Sequence, residues 1–119
     1  MSLNYLKRAQ CNSARKLLLD SDDKEEHFLM VTSLHSDAFA DTKHKIYSEL
    51  AETDQKFDKD KTHARLMAAL VVDWCVPEEF GECTPENVEK LLYEYPQIAD
   101  GVDTFATNTK NFVEKKSKH

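Results

Sequence analysis

LMAALVVDWCVPEEFGECTPENVEKLLYEYP, residues 66–96, decides how this chain is read, because it holds the only tryptophan and all three prolines. Leu66, Met67, Leu70, Val71 and Trp74 recur at helical spacing, and Ala68 and Ala69 permit close approach. The pattern predicts a well-buried apolar helix that ends at Trp74. Pro77 and Gly81 then open a short loop around Phe80. Thr84-Pro85 caps and starts a second helix, with Val88, Leu91, Leu92 and Tyr95 on one face. Pro96 begins a last helix through Ile98, Val102 and Phe105 towards Phe112. The unit reads as a docking scaffold more than as a catalytic site.

Upstream, no Gly or Pro precedes Pro77, so turns must come from other residues. Ser21-Asp22-Asp23 is the best candidate, since short polar side chains bond their own backbone and tolerate turn geometry. The flanking segments, Ala14 to Leu19 and Glu26 to Leu34, read as two strands of a hairpin. In the second, Phe28, Met30, Thr32 and Leu34 alternate with Leu29 and Val31. A lone hairpin is marginal in water, so one face must pack on helices. Ser36 predicts an N-cap with Asp37 at the positive helix end, followed by a stripe of Phe39, Thr42 or Lys43, Ile46, Tyr47 and Leu50. Thr62 is the expected cap of the apolar helix. The charged run DQKFDKDK, residues 54–61, fits either a break or a continuation. The fold class is α+β, mostly α: an N-terminal β-hairpin followed by about four helices in one domain. Residues 1–13 form an N-terminal extension, 14–112 the body, and 113–119 a frayed basic tail.

At 119 residues the chain fits one core that buries roughly two thirds of the unfolded surface without disulfides or metals. Its longest apolar run, Leu66 to Val72, is far short of a membrane span, so no membrane partner is expected. The start, MSLNYLKR, lacks the apolar stretch and cleavage site of a secretory signal, which predicts a cytoplasmic protein. The three cysteines Cys11, Cys75 and Cys83 include no close pair and fit free thiols in a reducing compartment. A formal charge of −6 repels phosphates and argues against a nucleic-acid partner. It suits basic or apolar protein partners instead.

The candidate chemistry is sparse. His27, His35, His44, His63 and His119 are scattered without the spacing that gathers metal ligands, so no metal is expected. No activated-nucleophile motif or glycine-rich phosphate loop is present, and neither a cofactor nor enzymatic activity is expected. The acid pairs Glu25-Glu26 and Glu78-Glu79 read as solvated surface. Trp74 reads as a core plug worth roughly 3–5 kcal/mol, or as a binding anchor. Phe80, in a loop among Glu78, Glu79 and Glu82, fits packing and partner contact equally. The basic residues Lys110, Lys115, Lys116 and Lys118 read as a solvated end.

Three features resemble the tail assembly chaperones of long-tailed bacteriophages. These are Leu34-His35-Ser36-Asp37-Ala38-Phe39 after a short strand, Leu70-Val71-Val72-Asp73-Trp74, and Phe80 with Thr84-Pro85-Glu86-Asn87-Val88, Leu91-Leu92, Tyr95-Pro96 and Ile98. Their order and spacing span about residues 14 to 105. The resemblance implies a non-enzymatic protein of the infected bacterial cytoplasm that binds the tape measure protein, with tail tube subunits as a second candidate. Such a protein keeps its partner soluble until the tail polymerises and is absent from the mature virion. The candidate partner contacts are Phe80, Trp74, Glu78, Glu79, Leu92 and Tyr95, with amphipathic helices expected as the bound form. Exposed apolar faces also leave room for a homo-oligomer. The alternative is a small helical adaptor or regulatory protein that binds another protein, or DNA, through its C-terminal helices.

Overall fold

A computed structural model describes residues 5–22, 24–52 and 58–113. Nine-residue spacing between the first two strands brings Arg15–Leu18 (β1) against Phe28–Val31 (β2) in an antiparallel hairpin, as the alternation predicts. Leu29 and Val31 are fully buried while Phe28 and Met30 are half-buried, so Leu29 and Val31 are the core-facing set. Asp23 of the predicted turn lies outside the described residues.

A short helix, Arg8–Cys11 (α1), precedes the hairpin. After it come Asp37–Glu52 (α2), Lys59–Ala68 (α3), a third strand Val71–Cys75 (β3), and the helices Pro85–Glu94 (α4) and Pro96–Thr107 (α5). Single 3-10 turns occupy Glu78–Phe80 and Thr109–Phe112. The fold is thus α+β and mostly helical, with an N-terminal hairpin and four helices after it. The sheet has the order β1-β2-β3 and is antiparallel throughout.

β3 corrects the expectation of a helix running to Trp74. The helix stops at Ala68, and the backbone N–H groups of Ala69 and Leu70 close a tight turn onto Leu66 and Met67. Val71, Val72 and Trp74 then follow their β-branched and aromatic preference for extended backbone. Tertiary structure reinforces that preference, because the outward backbone groups of Phe28 and Met30 need a partner. β3 supplies it, pairing Cys75 with Phe28 and Asp73 with Met30. The register slips near Val31, where Val72 is the extra residue of a bulge. The helical spacing of Leu70, Val71 and Trp74 therefore arises from a turn followed by a strand.

The cap of α3 also differs from expectation. Asp58, not Thr62, holds the helix start: its carboxylate accepts the N–H groups of Asp60 and Lys61, both at 3.1 Å. Thr62 lies inside the first turn, its own N–H donating to the Asp58 carbonyl. Residues 53–57, which hold the first half of the undecided charged run, lie outside the described set. So do residues 114–119 of the predicted tail.

The other two caps are as read. Ser36 is buried, and its Oγ accepts the Phe39 N–H at 3.3 Å. Thr84 accepts the Asn87 N–H at 3.2 Å, with Pro85 at the first helical position. The Ser36 junction ties distant elements together. Thr32 N–H reaches the Leu70 carbonyl at 2.8 Å, Ser33 N–H the Cys11 carbonyl at 3.1 Å, and Leu34 N–H the Ala106 carbonyl at 3.1 Å. Asp37 accepts from Arg8 at 2.6 Å and from Asn12 at 3.0 Å, which fastens residues 8–12 to the start of α2.

One core joins sheet and helices. Leu29 and Val31 belong to one buried cluster with Met67, Leu70, Val88, Leu91, Leu92, Ala99 and Val102. α3 packs on α4 and α5, and α5 reaches β2. This arrangement covers one sheet face and leaves the opposite one, with Lys16, Leu18, Asp73 and Cys75, exposed. Phe112 is fully buried against Phe105, edge to face at 5.7 Å, and so closes the far end of α5.

Candidate functional site

Where the hairpin end meets the α4–α5 corner, the core opens into a groove of about 470 Å³. One wall is the end of β1, Leu17 to Ser21. The other is Phe80, Leu91, Tyr95, Ile98 and Gly101, with His27, Val76 and Pro77 between them. Its size lies within the roughly 300–1,000 Å³ of ligand-binding clefts.

Each wall has a local cause. Pro77 and the 3-10 turn that follows it carry Phe80 back over α4. Gly81 ends that turn at φ 79°, a left-handed backbone that a side chain would strain. Phe80 and Tyr95 then meet edge to face, 6.1 Å between centroids. Tyr95 and Pro96 sit at the corner between the two helices, so the ring stands at the rim. On α5, a Cβ built at Gly101 meets nothing within 4 Å, which leaves open space on that wall.

The groove is apolar within and acidic outside. Among the described residues, Asp20 is its only formally charged lining residue, and no Lys or Arg lines it. Glu78 and Glu79 are exposed next to Phe80, and Glu94 shares the neighbouring depression with Phe80, Tyr95 and Lys90. A larger hollow of about 600 Å³ lies beside β3. It mixes Lys45 and Arg65 with Glu86 and Glu89, and Arg65 is already bound to Glu49 at 2.8 Å. Among the described residues, its lining contains no aromatic ring. The aromatic groove is the better-defined binding surface.

The sequence-derived contact residues divide among three places. Phe80 and Tyr95 come together in the groove, with Glu78 and Glu79 beside them. Trp74 is half-buried on β3, packs against the core, and donates its indole N–H to the Gly81 carbonyl at 3.3 Å. It supports the loop that carries Phe80. Leu92 is 1% exposed and belongs to the core, so it is corrected from contact to packing residue: on α4 it faces the interior together with Val88 and Leu91. Leu17, Leu18, Leu19, Ile98 and Gly101 were not among the expected contacts. Three consecutive leucines in an alternating strand were the available signal, since they cannot all face one core.

Among the described residues, no three of His, Cys, Asp or Glu stand close enough to hold a metal ion. Burial, followed by the charge of Asp73, pushes the Cys83 thiol above its ordinary range and disfavours the nucleophilic thiolate. No helix among the described residues is long and apolar enough to cross a membrane. No protein-family model matches the chain, and neither a curated protein nor a solved structure matches it.

Proposed function

We propose that this chain is a non-enzymatic assembly chaperone whose role is that of the tail assembly chaperones of long-tailed bacteriophages. The single observation that carries the reading is the apolar, aromatic-walled groove with acidic residues around it. Such a cleft covers sticky side chains of another polypeptide without performing bond chemistry. The partner is the tape measure protein, a long chain that must remain soluble until its tube forms around it. Tail tube subunits are the second partner. The complex forms in the cytoplasm of the infected bacterium, and the chaperone leaves before the virion is complete. The ordered likeness from Leu34 to Ile98 supports this assignment, and the acidic balance of the chain suits a carrier of basic, apolar segments.

Co-expression with the tape measure protein of the same phage tests the proposal. The expected result is a higher soluble fraction of the tape measure protein, co-purification of the two, and no chaperone in purified particles. A folded chain that neither solubilises nor retains the tape measure protein, or one that persists in mature particles, contradicts it.

A further inference from the structure

The two free edges of the sheet differ. Leu19 N–H donates to the His27 carbonyl at 2.9 Å, so Leu19, Leu17 and Arg15 direct their backbone groups towards β2. The alternation turns the N–H and C=O of Lys16 and Leu18 outward. Among the described residues, no group accepts either N–H. On the opposite edge the equivalent outward N–H belongs to Trp74, and the Asp73 carboxylate accepts it at 2.9 Å. The Val72 bulge breaks that edge as well. Bulges and edge charges are ordinary means of blocking strand addition. Among the described residues, the β3 edge is closed and the β1 edge is open.

The open edge also runs along the groove, for Leu17, Leu18, Leu19 and Asp20 line it consecutively. Leu18 is 60% exposed. We infer that the partner enters as an extended segment that pairs with β1 as a fourth strand. Its alternate apolar side chains enter the groove over Gly101, and its cationic side chains meet Asp20, Glu79 and Glu94. The inference rests on the reading of the groove as the partner site and specifies how that site is filled. A helix in the same place leaves the Lys16 and Leu18 backbone groups to water. A strand pairs them and uses side-chain pockets for selectivity. The acidic surroundings favour a basic segment over a second copy of this chain, whose formal charge is −6.

Leu18 supplies the decisive variants. Proline at an outward-facing edge position removes the exposed N–H and leaves the β1–β2 ladder intact, because Leu18 contributes no bond to it. Leu18→Ala trims the side chain but keeps the N–H. The probes are three short synthetic peptides: one alternating leucine with lysine, one with the same composition in helical phase, and one alternating leucine with glutamate. With the full chain, the alternating lysine peptide is expected to bind best and to slow amide exchange at Lys16 and Leu18. Leu18→Pro is expected to weaken it on the order of tenfold, and Leu18→Ala by less than about threefold.

Equal losses in the two variants, tighter binding of the helical-phase peptide, or unchanged exchange at Lys16 and Leu18 in the saturated wild type would overturn strand addition. The exchange measurement decides the matter even if Leu18→Pro fails to fold. Retention of the tape measure protein by Leu18→Pro, combined with its loss in Gly101→Phe, leaves the groove as the partner site and removes only the strand. Retention by both variants removes the groove reading itself.

Discussion

The indole Nε1–H of Trp74 lies 3.3 Å from the carbonyl oxygen of Gly81 and donates to it, linking β3 to the loop that positions Phe80. One side chain thus packs against the core and braces a wall of the groove. Trp74→Phe is expected to keep most of the packing and to lose the hydrogen bond, at a cost of about 1 kcal/mol in unfolding free energy. Trp74→Ala should cost more, though less than the roughly 3–5 kcal/mol of a fully enclosed aromatic, because Trp74 is half-buried. Denaturant titration of both variants checks the order; equal stability of all three proteins would contradict it.

The two glycines should respond to alanine in opposite directions. Gly81 combines φ 79° with ψ −160°, and a Cβ there would stand 3.0 Å from the side-chain Nδ2 of Asn87. Gly81→Ala is expected to destabilise by about 1–3 kcal/mol. Gly101 lies inside α5 with nothing near its missing Cβ, so Gly101→Ala should stabilise by about 0.5–1 kcal/mol. Thermal unfolding midpoints of the two variants should move apart, one below and one above the wild type.

Cap placement gives a third prediction. Asp58 accepts two backbone N–H groups, whereas Thr62 makes no capping bond. Asp58→Ala is expected to cost about 0.5–2 kcal/mol, and Thr62→Ala only a few tenths. Equal costs, or a larger one at Thr62, would contradict the observed helix start.

Between α2 and α3, Arg65 donates to Glu49 at 2.8 Å. That hydrogen bond, aided by the positive charge, holds the Glu49 carboxyl below its ordinary range. A carboxyl depressed in the folded state stabilises the fold above its unfolded pKa, and the gain disappears as pH falls through the folded value. The melting-temperature difference between wild type and Glu49→Gln should therefore hold at neutral pH and shrink in acid below the ordinary carboxylate range. Added salt should shrink it too, since the pair is partly exposed. A difference that grows in acid would contradict the sign.

Local chemistry made much of this fold legible. Alternation revealed the hairpin, the Ser36 and Thr84 caps announced two helix starts, and Val88, Leu91 and Leu92 marked a buried face. β3 was obscured because the turn at Ala69 and Leu70 happens to keep Leu66, Met67, Val71 and Trp74 in helical register. Its determinant is remote: the unpaired outer side of β2. Asp58 was hidden in a run of alternating charge, where no local pattern singles out one acid as the cap. Of the groove, Phe80 and Tyr95 were readable from loop and corner positions. The β1 wall was not, since only the assembled sheet places the leucines opposite α5. The link from Arg8 and Asn12 to Asp37 likewise has no local signature, because it joins residues 25 or more positions apart.

Gly101→Phe would fill the groove with a ring from a position where a Cβ meets nothing within 4 Å. The measurement is the fraction of tape measure protein retained on the tagged chain after co-expression, wild type against Gly101→Phe, with thermal unfolding showing that both are folded. Retention by the wild type is expected, with loss on the order of tenfold or more in the variant. Equal retention by the two folded proteins would contradict it.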